Sequence, residues 1–344
     1  MNDDTAPIRH GGDLLVAVRR YGRAAHEWLD LSTGINPAGY PVPPVPADAW
    51  HHLPQDDDGL AEAAAAAYGA AHALPVAGSQ AAIRTLPTLL ARGRVGIAAL
   101  GYSEYAPAFA RAGHEVMLLG EAAFARDDVV DGLDCLVVVN PNNPTGRLLP
   151  AAQLVDWHKR LAARGGTLLV DEAFIDCRPD LSLAARAHLP GLVVLRSLGK
   201  FYGLAGVRCG FVLAAPNLLG RLREALGHWT VAGPARTVAR CALADTAWQA
   251  ATRQRLALQG ARLAALLRRH GLTVVMQPLF CWVTGADAAA MQTSLAHAGI
   301  WTRRFDAAGD SPPSLRIGLP PDDEGAWQRL DAALATRAAI AVGA

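Results

Sequence analysis

Between residues 95 and 214 the chain alternates short apolar runs with longer stretches whose apolar residues recur at helical spacing. VGIAAL (95–100), 115–119, DCLVVVN (134–140), TLLVDEAF (167–174), VVLRSL (193–198) and VRCGFVLA (207–214) read as strands. The spans 59–71, 79–92, 103–113 and 150–164 read as helices. Strands separated by helices predict an α/β fold, with a mainly parallel sheet covered on both faces and ligands bound at the carboxyl ends of its strands. Past residue 215 the rhythm changes to long helices (215–227, 235–270), short strands near 272–284, a helix at 287–298, strands at 300–304 and 314–318, and a closing helix at 322–340. This is the pattern of a smaller α+β C-terminal domain. The expected organisation is an arm over 1–35 that packs with the small domain, a large domain over 36–225, and a small domain over 226–344, with the site between them.

Composition narrows the classes. Hydrophobic residues make up 51% of 344 and charged residues 18%, which excludes disorder and leaves enough apolar material for more than one core. A formal charge of +1 without a basic run removes the electrostatic footprint of nucleic-acid or anionic-membrane binding. The five cysteines (Cys135, Cys177, Cys209, Cys241, Cys281) are odd in number and lack a C-x-x-C pair or metal-ligand spacing. They read as reduced thiols of a cytoplasmic protein that holds no metal. The acidic N-terminus has no apolar core of a signal peptide, and no stretch is long enough to span a membrane.

Of 32 basic residues only Lys159 and Lys200 are lysines. Arginine serves as a surface charge but cannot give up its proton to become an amine nucleophile. Lys159 lies on the polar face of an amphipathic pattern, LVDWHKRLAARG, and reads as a solvated residue. Lys200 lies in LRSLGKFYGLAG, where glycines and aromatics replace helical periodicity, and it reads as functional. Near it, polar residues gather at predicted strand ends: Asn140, Asn142 and Asn143 in NPNNPTG, Asp171 and Glu172 in VDEAF, Ser197 three residues before Lys200, and Arg208. AGSQ (77–80) opens a helix and offers backbone N–H groups and the Ser79 hydroxyl to an anion. An anion cradle, an amine and a carboxylate together match what pyridoxal phosphate requires of a protein.

NPNNPTG, DEAF, SLGKFYGLAGVRCG and SLRIG, in this order, make nearly the whole chain resemble the fold-type I pyridoxal-phosphate enzymes of the class I/II aminotransferase superfamily. Within that group it is similar to the threonine-phosphate decarboxylases of cobalamin biosynthesis, whose close relatives are histidinol-phosphate aminotransferases. HGGD (10–13) resembles their HGGN, DLSTGINPAGYP (30–41) resembles their NINPLG segment, and Phe174 stands where aminotransferases usually carry tyrosine. The resemblance implies that Lys200 bonds the cofactor aldehyde and Asp171 pairs with its ring nitrogen. Asn143 would hydrogen-bond the ring oxygen and Tyr102 would stack on the ring. Ser79, the Gln80 amide, Ser197 and Arg208 would hold the phosphate. Arg316 would bind the substrate carboxylate, with Arg303, His10 and Asn36 near the substrate, a small phosphorylated amino acid. The reaction implied is decarboxylation of L-threonine O-3-phosphate to (R)-1-amino-2-propanol O-2-phosphate by a homodimer. A histidinol-phosphate-type aminotransferase is the alternative. A non-catalytic pyridoxal-phosphate regulator is disfavoured, since no helix-turn-helix or basic segment precedes residue 30.

Two departures stand out. Many relatives carry a tyrosine in R-Y-P-D that reaches the partner subunit's cofactor phosphate, whereas HHLPQD places Leu53 there. Asp13 replaces the asparagine of HGGN, and it is placed to cap the helix beginning DLLVAVRRYG.

Overall fold

The computed structural model describes residues 11–284 and 287–342. Its larger sheet has seven strands: β2 (Leu74–Val76), β3 (Arg94–Ala98), β4 (Glu115–Leu119), β5 (Cys135–Val139), β6 (Thr167–Asp171), β7 (Leu192–Ser197) and β8 (Gly210–Leu213). They lie in the order β2-β8-β7-β6-β5-β3-β4, parallel from β7 to β4, with β8 antiparallel to both neighbours. The reason for the continuous apolar runs is visible in β5. Leu136 and Val138 enter one hydrophobic cluster while Cys135, Val137 and Val139 enter another, because successive side chains leave opposite faces of a sheet covered twice. One face is covered by α4 (Ser79–Leu89), α5 (Tyr105–Arg111) and α7 (Pro216–Leu226), through residues such as Leu86, Phe109 and Leu222. The opposite face packs with α3 (Leu60–Tyr68), α6 (Ala151–Ala162) and α8 (Gly233–Ala244); Leu60, Trp157 and Ala239 are fully buried there. Two shorter helices, α1 (Leu14–Tyr21) and α2 (Asp48–His51), belong to the N-terminal part of the chain.

The smaller sheet runs β1-β11-β12-β10-β9, from β1 (Leu29–Leu31), β9 (Thr273–Gln277), β10 (Phe280–Thr284), β11 (Ile300–Phe305) and β12 (Ser314–Gly318). β1 is parallel to β11 and the remaining pairs are antiparallel. Around it stand α9 (Thr246–Arg269), α10 (Ala288–His297) and α11 (Glu324–Val342). The loop between β11 and β12 reaches the other sheet, where the Asp310 carboxylate accepts the backbone N–H groups of Glu121 at 2.6 Å and Ala122 at 2.9 Å.

Most elements fall within a few residues of their expected places, and the exceptions have local causes. The single helix expected over 235–270 is two helices, α8 and α9. They part at Asp245, whose side chain accepts the Trp248 N–H at 2.9 Å and so starts a new helix. The run TLLVDEAF stops being strand at Asp171, because the chain turns into a 3-10 segment at Ile175–Cys177. β8 begins at Gly210 rather than 207, since Arg208 adopts a left-handed conformation at φ +53. Asp13 occupies the N-cap position of α1 but makes no side-chain capping bond, contrary to expectation. Among the described residues no helix is long and apolar enough to cross a membrane.

Candidate active site

A cleft opens at the carboxyl ends of β5, β6 and β7 and collects all eight residues expected to hold the cofactor: Ser79, Gln80, Tyr102, Asn143, Asp171, Ser197, Lys200 and Arg208. Lys200 follows β7, and its carbonyl is pinned by the N–H groups of Asn36 at 3.0 Å and Gly203 at 3.1 Å. Its amine lies 5.5 Å from the centre of the Phe174 ring. Burial, reinforced by the charges of Arg316 and Arg208 and opposed by Asp171, pushes the Lys200 ammonium down to about 8. An amine so placed is partly uncharged near neutrality and is therefore a usable nucleophile. Lys159 lies exposed on α6, as its pattern suggested.

Asp171 ends β6 and is almost fully buried. Its Oδ2 accepts the Tyr105 hydroxyl at 2.7 Å and its Oδ1 accepts the Ala173 N–H at 3.0 Å. Burial raises the carboxyl above its ordinary range, while these bonds and Lys200 pull it back. Glu172, one residue later, faces the other way. It is fully buried, accepts Ser182 Oγ at 2.5 Å and the Leu183 N–H at 2.7 Å, and pairs with Arg196 at 3.0 Å. Arg196 also binds Asp176, so Glu172 belongs to a buried ionic network rather than to the ligand set.

The anion cradle is built by glycines as much as by its donors. Gly78, at φ +69, precedes α4, and a Cβ there would fall 2.9 Å from Arg208 Nη2. A Cβ on Gly210 would lie 2.8 Å from the Ser79 nitrogen. Close backbone approach therefore brings the N-terminus of α4, Ser79, Ser197 and the Arg208 guanidinium to one wall of the cleft. That donor set fits a phosphate. The Gln80 side chain is used within the protein, accepting from the Tyr102 hydroxyl at 2.9 Å and donating to Glu104 at 2.7 Å, so its backbone amide is what it offers an anion. Burial raises the Tyr102 phenol to about 12, which keeps it a neutral donor.

Arg316 and Arg303 are not in the wall of this cleft; the small sheet reaches it through the bond of Arg316 to Asn143. Arg316 lies on β12, buried, opposite Arg303 of β11 and Trp282 of β10. It donates to Asn143 Oδ1 and, at 2.5 Å, to the Ser32 carbonyl. Burial and the neighbouring Arg303 push its guanidinium down to about 10, partly offset by Asp30. Like charges directly opposite on a sheet repel. In addition, Arg316 Nε, the Trp282 indole N–H and Ser314 Oγ are buried without a hydrogen-bond partner among the described residues. By strand alternation these three side chains share one sheet face, and two of the three atoms can only donate. A Cβ on Gly11 would fall 2.4 Å from the Ser32 carbonyl and 3.0 Å from Arg316 Nη2, so the glycine of HGGD is needed for the arm to lie against this arginine. His10 lies outside the described residues.

Asn36 is placed differently from its expected role beside the substrate. Its Nδ2 donates to the Phe201 carbonyl at 2.8 Å and its Oδ1 accepts from the Ala38 N–H at 3.0 Å and Arg255 at 3.2 Å. It is a buried strut behind the Lys200 loop. Arg304 pairs with Asp306 at 3.4 Å near the surface, and Leu53 is 59% exposed. Tyr105 is not among the residues expected from sequence, and Gly11 enters there only as part of HGGD. The only sequence trace of Tyr105 is its spacing three residues after Tyr102 in GYSEY.

Comparison with known proteins agrees with this geometry. The Aminotransferase class I and II family model matches residues 52–330. The chain is 52% identical to the threonine-phosphate decarboxylase of Pseudomonas aeruginosa, over 95% of this chain and 97% of that protein. It is 44% identical to the threonine-phosphate decarboxylase of a Sinorhizobium species, over 95% and 98%. The crystal structure of histidinol-phosphate aminotransferase from Sinorhizobium meliloti superposes with a TM-score of 0.81 at 22% identity, covering 96% of this chain and 94% of that one. With the lysine, aspartate and phosphate cradle assembled on the fold-type I scaffold, the chain belongs to the class I and II aminotransferase family.

Proposed function

We propose that this protein decarboxylates L-threonine O-3-phosphate to (R)-1-amino-2-propanol O-2-phosphate, using pyridoxal 5′-phosphate. The observation that carries the reading is the small-sheet face at Arg316, where, among the described residues, a buried guanidinium keeps its Nε unpartnered beside the unpartnered Trp282 indole N–H and Ser314 Oγ. A substrate bearing both a carboxylate and a phosphate supplies the missing acceptors. The two relatives described above, named for this reaction, support the choice of amino acid.

The N-terminus of α4, Ser79, Ser197 and Arg208 would hold the cofactor phosphate, Tyr102 and Asn143 its ring, and Lys200 its aldehyde. When bound, the cofactor supplies an electron sink for the pair left on Cα as the bond to the carboxylate breaks and CO₂ departs. Asp171, as an anion, would keep the ring nitrogen protonated, and the positive ring is what accepts the electron pair. Arg316 orients the substrate carboxylate through a bidentate fork. The Lys200 amine would be the group placed to hold the proton that Cα takes up in place of the departed CO₂. Phe174 and Leu204 line the cleft and exclude water there.

The same reading makes the protein a cytoplasmic homodimer. Val42, Trp50, Leu53 and Trp229 are more than half exposed, and an apolar surface of this kind suits a subunit contact. Leu53 replaces the tyrosine through which relatives reach the partner's phosphate. Light scattering on the cofactor-loaded protein tests the dimer. Incubation with threonine phosphate tests the reaction: CO₂ should appear without keto acid. Steady turnover of histidinol phosphate with 2-oxoglutarate, and no CO₂ from threonine phosphate, would reverse the assignment.

A further inference from the structure

Tyr105 opens α5 with its side chain almost fully buried, in a cluster that includes Ile83, Ala108 and Phe109, and edge-on to Tyr102 at 6.2 Å between ring centres. So apolar a position would suit phenylalanine, yet a hydroxyl is present. It donates at 2.7 Å to Asp171, the carboxylate that faces the reacting lysine. Burial, and then the charge of Asp171, hold the Tyr105 phenol well above its ordinary range, so it is a neutral donor. The other groups that act on Asp171 are the Ala173 N–H, the Lys200 amine and the Tyr102 phenol.

We propose that Tyr105 is a positioning residue for the reaction: its hydroxyl fixes the plane of the Asp171 carboxylate and favours its anionic form. A hydrogen bond to the charged form favours that form, and here it opposes the desolvation that works in the other direction. The role rests on the function proposed above, because an anion at Asp171 matters only if it faces a ring nitrogen that must hold its proton. Tyr105 itself touches no reacting atom.

The test compares full-length wild type with Tyr105→Phe. In cofactor-free protein labelled with ¹³C at aspartate carboxyls, the Asp171 resonance, assigned through Asp171→Asn, should titrate about one pH unit higher in Tyr105→Phe. In the loaded enzyme the ¹⁵N resonance of the ring nitrogen should move toward the unprotonated position. Turnover should fall roughly tenfold, the equivalent of one such unit, with little change in KM. Incorporating 3,5-difluorotyrosine at position 105, a stronger donor of nearly the same shape, should shift the Asp171 titration downward and covers the case in which Tyr105→Phe fails to fold. An Asp171 titration that neither replacement moves would overturn the proposal, since a purely packing tyrosine predicts that result. The titration needs no substrate. A shifted Asp171 with no CO₂ from threonine phosphate would instead refute the proposed reaction while leaving the coupling intact.

Discussion

At the large-sheet end of the cleft both oxygens of Asp171 already have donors, whereas at the small-sheet end Arg316 stands opposite Arg303 with its Nε unpartnered. The first end is complete before anything binds, and its groups are locked by bonds within the protein. The second, among the described residues, keeps buried polar atoms of Arg316, Trp282 and Ser314 without hydrogen-bond partners. Preorganised groups belong where charge develops during reaction, because they cost no rearrangement at that moment. Unsatisfied donors belong where a ligand is selected, because a ligand that satisfies them is rewarded. Under the proposed function the two ends divide the work between rate and recognition.

Removing Lys200 should break the first end most completely. Lys200→Met should lose turnover by on the order of 10⁴-fold or more. Borohydride treatment of the loaded wild type should fix cofactor mass on the Lys200 peptide; mass found on Lys159 would refute the role. The same variant has a stability signature. Between about 8, where burial holds the Lys200 ammonium, and its ordinary 10.5, the unfolded chain binds the extra proton, so the wild type gains stability as pH rises. Lys200→Met should therefore stabilise cofactor-free protein by up to roughly 3 kcal/mol at pH 7. That advantage should disappear as pH approaches 10.5 in urea unfolding. Asp171→Asn keeps the size and removes the anion, so turnover should fall by about 10²–10³ with the cofactor still bound. Near wild-type rates would sink the comparison at this end.

Arg316→Lys tests the other end. A lysine keeps the charge and loses the fork, so KM for threonine phosphate should rise by about 10-fold while the visible spectrum of the bound cofactor stays unchanged. A spectral change with unaltered KM would mean that the division of labour is wrong. The smallest effect is expected at the seam, where Phe174 of the large domain packs on Phe280 of β10, with ring centres 5.2 Å apart. Phe174→Tyr adds one hydroxyl near Lys200 and should alter CO₂ release by less than about tenfold. It should not create an efficient aminotransferase, because Arg316 still decides how the carboxylate is held.

Legibility from sequence divided along the same line. Groups at strand ends were readable, because a parallel sheet places them together wherever apolar runs stop, and Lys200 was marked by being one of two lysines among 32 basic residues. Orientation was not readable. Asp171 and Glu172 are neighbours that face opposite sides, and only the surrounding elements decide which one meets the ligand. Asn36 reads like a ligand from its motif, yet its amide is used by Phe201, Ala38 and Arg255, the last of them 219 residues away. β1 escaped because three residues, LDL, carry no periodicity, and their partner is Ile300–Phe305.

That last pairing also sets an order of assembly. Every strand of the large sheet has been synthesised by Leu213, but Leu29 must wait for Ile300. At ordinary ribosomal speeds the wait is on the order of tens of seconds. Until then the nascent chain can already hold the lysine and the phosphate cradle, while Ser32, whose carbonyl seats Arg316, has nothing to seat. Closing so long a loop costs only slightly more than closing one half its length, so the delay is kinetic rather than thermodynamic. Under the proposed function, the groups for the cofactor are therefore synthesised before Arg316, which comes with the last strands.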